Sequence, residues 1–228
     1  MNPDGLEAIA PVLNASGIRL EPLQRQRILA YVGLLLQWNR RINLTGARDR
    51  ANLLLRHILD CLMLETVPRA DALRSWLDAG SGAGLPGLLI AIMHPDYRVT
   101  AMETVAKKVT FQQFAAQTLG LSNYTVLRRD VYRPEEPGEA LGTFDVLVAR
   151  AFAKLAPLLL LATRLLRPGG ELWAMKGARW AEELQRVPPE YLRPYEDGYR
   201  RITYRLASAA EEGVVLIYRK RDAAATEA

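Results

Sequence analysis

The feature that most constrains this chain is the run Leu77-Asp78-Ala79-Gly80-Ser81-Gly82-Ala83-Gly84-Leu85-Pro86-Gly87. Ser75 to Leu77 end a short apolar strand. Glycine then recurs at alternate positions, so the backbone can turn sharply with no Cβ in the way. Pro86 suits the first turn of a following helix, where a missing N–H costs nothing. The free amides and the positive end of that helix would face whatever lies across the loop, and the stretch reads as a nucleotide cradle.

Gly82, Gly84 and Gly87 also spell the G-x-G-x-x-G of a dinucleotide site, so the glycines alone do not choose between cofactors. Two acids narrow the reading. Asp78 ends the strand, and Glu103 follows the next one, Arg98 to Met102, about 20 residues further on, where a carboxylate accepts both ribose hydroxyls. Together they read as bracketing a nucleoside.

The chain has 228 residues, 50% of them hydrophobic, enough for a substantial core. No apolar run reaches the roughly 20 residues of a membrane span, and the N-terminus has no basic-then-apolar export pattern. Cys61 is the only cysteine, which excludes an internal disulfide; with His57 and His94 as the only histidines, no metal site is expected and a reducing cytoplasm is the simplest home. A formal charge of +5, carried mostly by arginine, leans towards a polyanionic partner.

Apolar spacing at Ile28, Val32, Leu35 and Leu36 predicts a helix over 21–38, and a second is expected over 52–64, with Leu55, Ile58, Leu59 and Leu62 on one face. His57 and Asp60 are neighbours on its surface, read as a hydrogen-bonding pair rather than as catalysts. Between the helices lies the basic loop Asn39 to Gly46. From Trp76 the pattern alternates strand and helix: helices over 86–93, 106–119 and 154–166, strands at 98–102, 124–127, 144–149 and 171–175. A polar loop fills 130–142. Two β-rich segments, 199–206 and 214–218, joined by a short linker containing Gly213, read as an antiparallel hairpin. The expected fold is α/β, Rossmann-like: a mostly parallel sheet with an antiparallel C-terminal hairpin, plus a helical appendage over 1–70. The sheet domain spans 71–221, and the alanine-rich tail 222–228 is read as disordered. This plan is that of S-adenosylmethionine-dependent methyltransferases; a nicotinamide dehydrogenase would continue with another parallel half.

Several motifs then converge. Trp38-Asn39 with Ile42-Asn43-Leu44-Thr45, Arg56-His57-Ile58-Leu59-Asp60, Asp78 to Gly87 with its Leu-Pro-Gly, Ala149-Arg150-Ala151-Phe152-Ala153 and Lys176-Gly177 together resemble the bacterial small-subunit rRNA guanine-N7 methyltransferases, also called glucose-inhibited division protein B. The resemblance implies methyl transfer from S-adenosylmethionine to a guanine N7 of 16S rRNA, with 16S rRNA or the small ribosomal subunit as partner, by a cytoplasmic monomer. It implies cofactor contacts at Gly80 and Leu85, Glu103 on the ribose, the loop Asp130-Val131-Tyr132 at the adenine, and Arg150 between cofactor and target base. Where the family usually has Arg-Ala-Glu in the adenine loop, this chain has Asp130-Val131-Tyr132.

Guanine N7 carries an in-plane lone pair and no proton, so its alkylation needs positioning rather than a general base. The absence of Asn/Asp-Pro-Pro-Tyr after the fourth strand agrees, because that motif serves exocyclic amines. Arg40, Arg41, Asn43, Thr45, Arg48, Arg56, His57 and Lys176 are read as RNA contacts. Phe152 is read either as a base-stacking aromatic or as core.

Overall fold

The computed structural model describes residues 5–47, 49–133, 144–206 and 212–222. Arg48, most of the polar 130–142 loop, the hairpin linker and the tail beyond Asp222 lie outside these residues. A seven-stranded sheet runs in the order β3-β2-β1-β4-β5-β7-β6. Its strands are β1 (Ser75–Ala79), β2 (Arg98–Glu103), β3 (Tyr124–Arg128), β4 (Phe144–Arg150), β5 (Leu166–Lys176), β6 (Arg200–Arg205) and β7 (Glu212–Arg219). The first five pair in parallel, and β7 runs antiparallel to both β5 and β6. The chain order reverses between β1 and β4, which is where open parallel sheets bind ligands, beyond the carboxyl ends of the strands. Asp145 fixes that junction: its Oδ2 accepts the N–H groups of Arg74 at 2.8 Å and Ser75 at 2.7 Å.

The helices are α1 (Ala10–Ala15), α2 (Pro22–Asn39), α3 (Arg50–Leu53), α4 (Leu59–Leu62), α5 (Gly87–Met93), α6 (Ala106–Thr118), α7 (Leu155–Leu165) and α8 (Trp180–Gln185). Pro22 opens α2, and the Gln24 side chain accepts the Glu21 N–H at 2.8 Å, closing a capping box. Between α3 and α4 the helix widens into a π turn, Leu54–Ile58, where an unbroken helix was expected. Such turns displace the backbone groups that follow and often mark functional positions.

Both faces of the sheet are covered. One apolar cluster joins α1 to α4 with α5 and α6, and includes Trp76, Trp173, Val215 and Ile217 from the strands. The other gathers α7 with Leu77, Leu147, Leu172 and Leu216. Trp76 stacks on Tyr97 and meets Trp173 edge-on, with centroids 5.7 and 5.0 Å apart. The described residues of 1–70, a stretch expected as an appendage, therefore share one core with the strands, from Leu6 to Val67. Gly213, expected in the hairpin linker, is in β7 opposite Tyr204, where a Cβ would strike the tyrosine ring.

Candidate functional site

The glycine loop leaves β1 and enters α5 under tight control from below. Asp78 is fully buried, and its Oδ2 accepts the Gly87 N–H at 2.7 Å. The end of β1 and the start of α5 thus satisfy each other, and Asp78 is not on the cavity wall. This corrects the expectation that Asp78 and Glu103 face one nucleoside together: of the two, only Glu103 lines the cavity described below. Burial raises the Asp78 carboxyl to about 7, against the Gly87 hydrogen bond and Arg150, which lower it, and with a further rise from Glu103.

Gly82 and Gly84 also differ. Gly82 has φ +58 and open space where a Cβ would stand, the nearest atom being the Gly80 carbonyl at 4.0 Å. Gly84 has φ +90, and a Cβ there would run into the Leu88 side chain beneath the loop. Gly84, expected at the cofactor, is thus packed against Leu88 and is not among the residues that line the cavity above the loop. Sequence reasoning missed the side chains that hold the loop. Tyr31 of α2 donates to the Ala83 carbonyl at 2.7 Å, and Gln112 of α6 donates to the Gly82 carbonyl at 2.9 Å while accepting from Tyr124 at 2.6 Å and Ser81 at 3.1 Å. Tyr31 lies three residues after Ile28 on the buried stripe of α2, so its burial was legible but its partner was not.

Above the loop lies a cavity of about 440 Å³ at the carboxyl ends of β1 to β4. Gly80, Gly82, Leu85, Glu103, Asp130, Val131, Tyr132 and Arg150, all expected at the cofactor, line it. Glu103 is held from two sides, its Oε2 accepting Gly82 N–H and its Oε1 accepting Val105 N–H, each at 2.9 Å. Asp130 Oδ1 accepts the Tyr132 N–H at 3.0 Å, which shapes the loop after β3. Tyr132 stacks against Phe152, with centroids 5.5 Å apart, and the Phe152 ring covers Gly80 so closely that a Cβ there would overlap it. Phe152 is thus part of the cavity wall.

Arg150, the last residue of β4, is anchored in three directions. Its Nε donates to Asp60 Oδ2 at 2.6 Å, and its Nη2 reaches the Arg56 carbonyl at 2.8 Å and His57 Nδ1 at 3.2 Å. The Arg56 carbonyl belongs to the π turn, and Tyr204 donates to the other oxygen of Asp60 at 2.6 Å. Burial works against the charge of Arg150, yet Asp60 holds its pKa above the ordinary value. Burial and Arg150 lower His57 to about 4, so its ring is neutral near pH 7 and can accept from Arg150. Ala151, with φ 51, turns the chain between Arg150 and Phe152.

The residues expected at RNA separate. Thr45 and His57 line the cavity above the glycine loop, and Arg40, Asn43 and Thr45 border a polar hollow beside it. Arg40, Arg41, Asn43 and Arg56 are exposed. Lys176 is not a free cation: its side chain is 7% exposed, and its Nζ donates to the Ala153 carbonyl at 2.7 Å and Glu183 Oε2 at 2.8 Å. The end of β5 points the lysine inward, where α8 supplies the carboxylate, instead of presenting it as the free surface cation that was expected. Among the described residues, no group of three or more His, Cys, Asp or Glu side chains could hold a metal ion, and no helix is long and apolar enough to cross a membrane.

The family model of GidB, rRNA small subunit methyltransferase G, matches residues 24–194. The ribosomal RNA small subunit methyltransferase G of Burkholderia thailandensis is 44% identical over 177 residues, covering 76% of this chain and 76% of that one. The protein of the same name from Burkholderia multivorans is 43% identical over 171 residues, covering 75% of each. Two solved structures share the fold. The S-adenosylmethionine-dependent methyltransferase SibL superimposes with a TM-score of 0.57 at 14% identity, over 86% of this chain and 76% of that one. A methyltransferase from Pyrococcus furiosus gives 0.54 at 19% identity, over 86% of this chain and 98% of that one.

Proposed function

Because the chain belongs to the rRNA small subunit methyltransferase G family, we propose that the cavity above its glycine loop holds S-adenosylmethionine and that Arg150 positions the methyl transfer. The protein is an S-adenosylmethionine-dependent methyltransferase that acts on guanine N7 of 16S rRNA. The observation that carries the site assignment is the convergence of Gly82, Glu103, Val131 and Arg150 on one cavity at the β1/β4 reversal.

The residues present fit the cofactor. Glu103, fixed by two amides, presents a carboxylate to a ribose; buried Val131 offers an apolar edge to adenine; and the open side of Gly82 leaves room for the chain between them. When bound, S-adenosylmethionine supplies an electrophilic methyl group on a sulfonium. The chain's own task is alignment, because N7 forms the new N–C bond with its lone pair and releases no proton. Orientation of this kind supplies up to roughly 7–11 kcal/mol of rate effect. Arg150 is preorganised for it by Asp60 and His57, and neither of these need act as a base.

Arg40 and Asn43, at the hollow beside the cavity, and exposed Arg41 next to Arg40 in the chain are read as the docking surface for RNA, with Thr45 and His57 at its inner edge. The reading carries with it a cytoplasmic monomer, checked by light scattering on a sizing column. The test of function is incubation with methyl-labelled cofactor and 16S rRNA lacking the modification, followed by nucleoside analysis. Label in 7-methylguanosine is expected; label only on exocyclic amines, or none, overturns the reading.

A further inference from the structure

We infer that a second cavity, which adjoins the cofactor cavity along Arg150, Ala151 and Phe152, receives the target guanine, and that Glu183 and Lys176 identify its base. The inference rests on the methyltransferase reading above. The cavity measures about 430 Å³, and Arg150, Ala151 and Phe152 line both it and the cofactor cavity. The two cavities meet along that shared edge, so a base seated in the second turns N7 past it to face the methyl donor's site directly, where the new N–C bond forms as the S–CH3 bond breaks.

The wall carries hydrogen-bonding groups in a definite order. Glu183, 31% exposed, spends Oε2 on the Leu155 N–H at 3.0 Å and on Lys176, leaving Oε1 without a hydrogen bond among the described residues. Lys176 comes next: two of its three ammonium hydrogens go to Glu183 and the Ala153 carbonyl, which leaves one donor. Beyond Ala153 stands the segment shared with the cofactor cavity. The sequence of groups is acceptor, donor, then methyl source. Around guanine the matching order is N2–H and N1–H donors, the O6 acceptor, then N7. Adenine presents an acceptor at N1 and a donor at N6, the reverse of what these side chains need, so the same wall rejects it.

The other two acids on the wall do not fit as well. Asp60 has both oxygens engaged, by Tyr204 and Arg150, and Glu212 is exposed at the start of β7. Reaching the cavity requires the nucleotide to leave its stack, as enzymes acting on bases demand.

The experiment uses the full chain, a fragment of 16S rRNA and S-adenosylmethionine. The wild-type reaction first maps the methylated guanosine; no 7-methylguanosine at that stage overturns the functional reading and this inference with it. The fragment is then made with inosine at the mapped position, which keeps N7, N1–H and O6 but lacks the N2 amine. Wild-type kcat/KM should fall roughly 10- to 100-fold on inosine, as expected for one hydrogen bond to a charged acceptor. Glu183→Gln should lower transfer to guanosine, leave S-adenosylhomocysteine affinity unchanged and discriminate less between the two bases. Equal wild-type rates on guanosine and inosine overturn the inference without needing any variant. So does full discrimination in Glu183→Gln, or its loss in Glu212→Gln instead.

Discussion

The phenol of Tyr204, on the C-terminal hairpin, donates to Asp60 Oδ1 at 2.6 Å across 144 residues of sequence. Through that one carboxylate the last pair of strands and the N-terminal helical layer hold the same guanidinium, Arg150, at the mouth of both cavities. Burial and the Asp60 charge push the Tyr204 pKa far above its ordinary value, so it remains a donor throughout the working pH range.

Removing the anchor should expose its contribution. Asp60→Ala leaves Arg150 buried beside no carboxylate, a loss of about 3–5 kcal/mol, whereas Tyr204→Phe removes one hydrogen bond to a charged group, about 1.5–3 kcal/mol. Urea unfolding should rank Asp60→Ala as the weaker protein. Arg150→Ala should slow single-turnover transfer even at saturating RNA and cofactor.

The two inner glycines should fail in different ways. Gly82→Ala is expected to lose affinity for S-adenosylhomocysteine, since its side chain enters the cavity, with a stability cost from backbone strain alone at φ +58. Gly84→Ala is expected to lose about 1–3 kcal/mol of stability from backbone strain and the Leu88 collision. Calorimetric titration beside thermal melting separates the outcomes; equal loss of affinity with no loss of stability in both would refute the distinction.

Asp78 makes a pH prediction of definite sign. Its pKa rises on folding from 3.8 to about 7, so between those values the folded state holds the extra proton. The stability it contributes is complete below the unfolded value and is lost as pH rises through the folded one. Asp78→Asn removes that titration. The stability of the variant relative to wild type should climb from about pH 4 to about pH 8, at up to about 1.4 kcal/mol per pH unit. A pH-independent difference would mean that Asp78 stays ionised.

RNA association should become less salt-dependent when Arg40 and Arg41 are neutralised, by about 0.7–0.9 in the log–log slope for each phosphate that no longer meets a guanidinium. Lys176→Met should leave that slope unchanged, because its charge is already paired with Glu183 in the folded chain. Filter binding across a salt series checks both.

With no proton to abstract, the single-turnover rate should be flat with pH between about 6 and 8. His57→Gln and Asp130→Asn should act through binding or folding, without the 10²–10⁴-fold loss typical of a general base. A wild-type rate rising tenfold per pH unit, and abolished by one such change, would place the methyl group on another atom.

The sheet was legible because its strands are short apolar runs between glycine and proline signals, and Glu103 because a carboxylate after the second strand has a fixed spacing from the loop. The cavity lining at Gly82, Val131 and Arg150 followed from the family motifs. What stayed hidden were pairings across the fold. Tyr31 and Gln112 meet the loop through hydrogen bonds to residues 52 and 30 positions away, and no periodicity encodes such a bond. Lys176 looked like surface charge because its acidic partner arrives with α8 and only the folded chain turns it inward. Gly213 looked like a turn residue, although its reason is the Tyr204 ring lying across it. The π turn at Leu54–Ile58 has the same apolar spacing as an ordinary helix, which is why an unbroken one was expected.

The core that joins the first helices to Trp173, Val215 and Ile217 has a consequence for synthesis. Domains usually acquire structure as the chain emerges, at about 5–20 residues per second. Here the earliest helices have part of their sheet missing until the final strand is made. Their apolar faces wait through most of translation, and Arg150 gains its full set of anchors only once Tyr204 arrives. A chain interrupted before the closing hairpin would carry the whole glycine loop yet lack the Tyr204 hydroxyl that steadies Asp60 beneath Arg150.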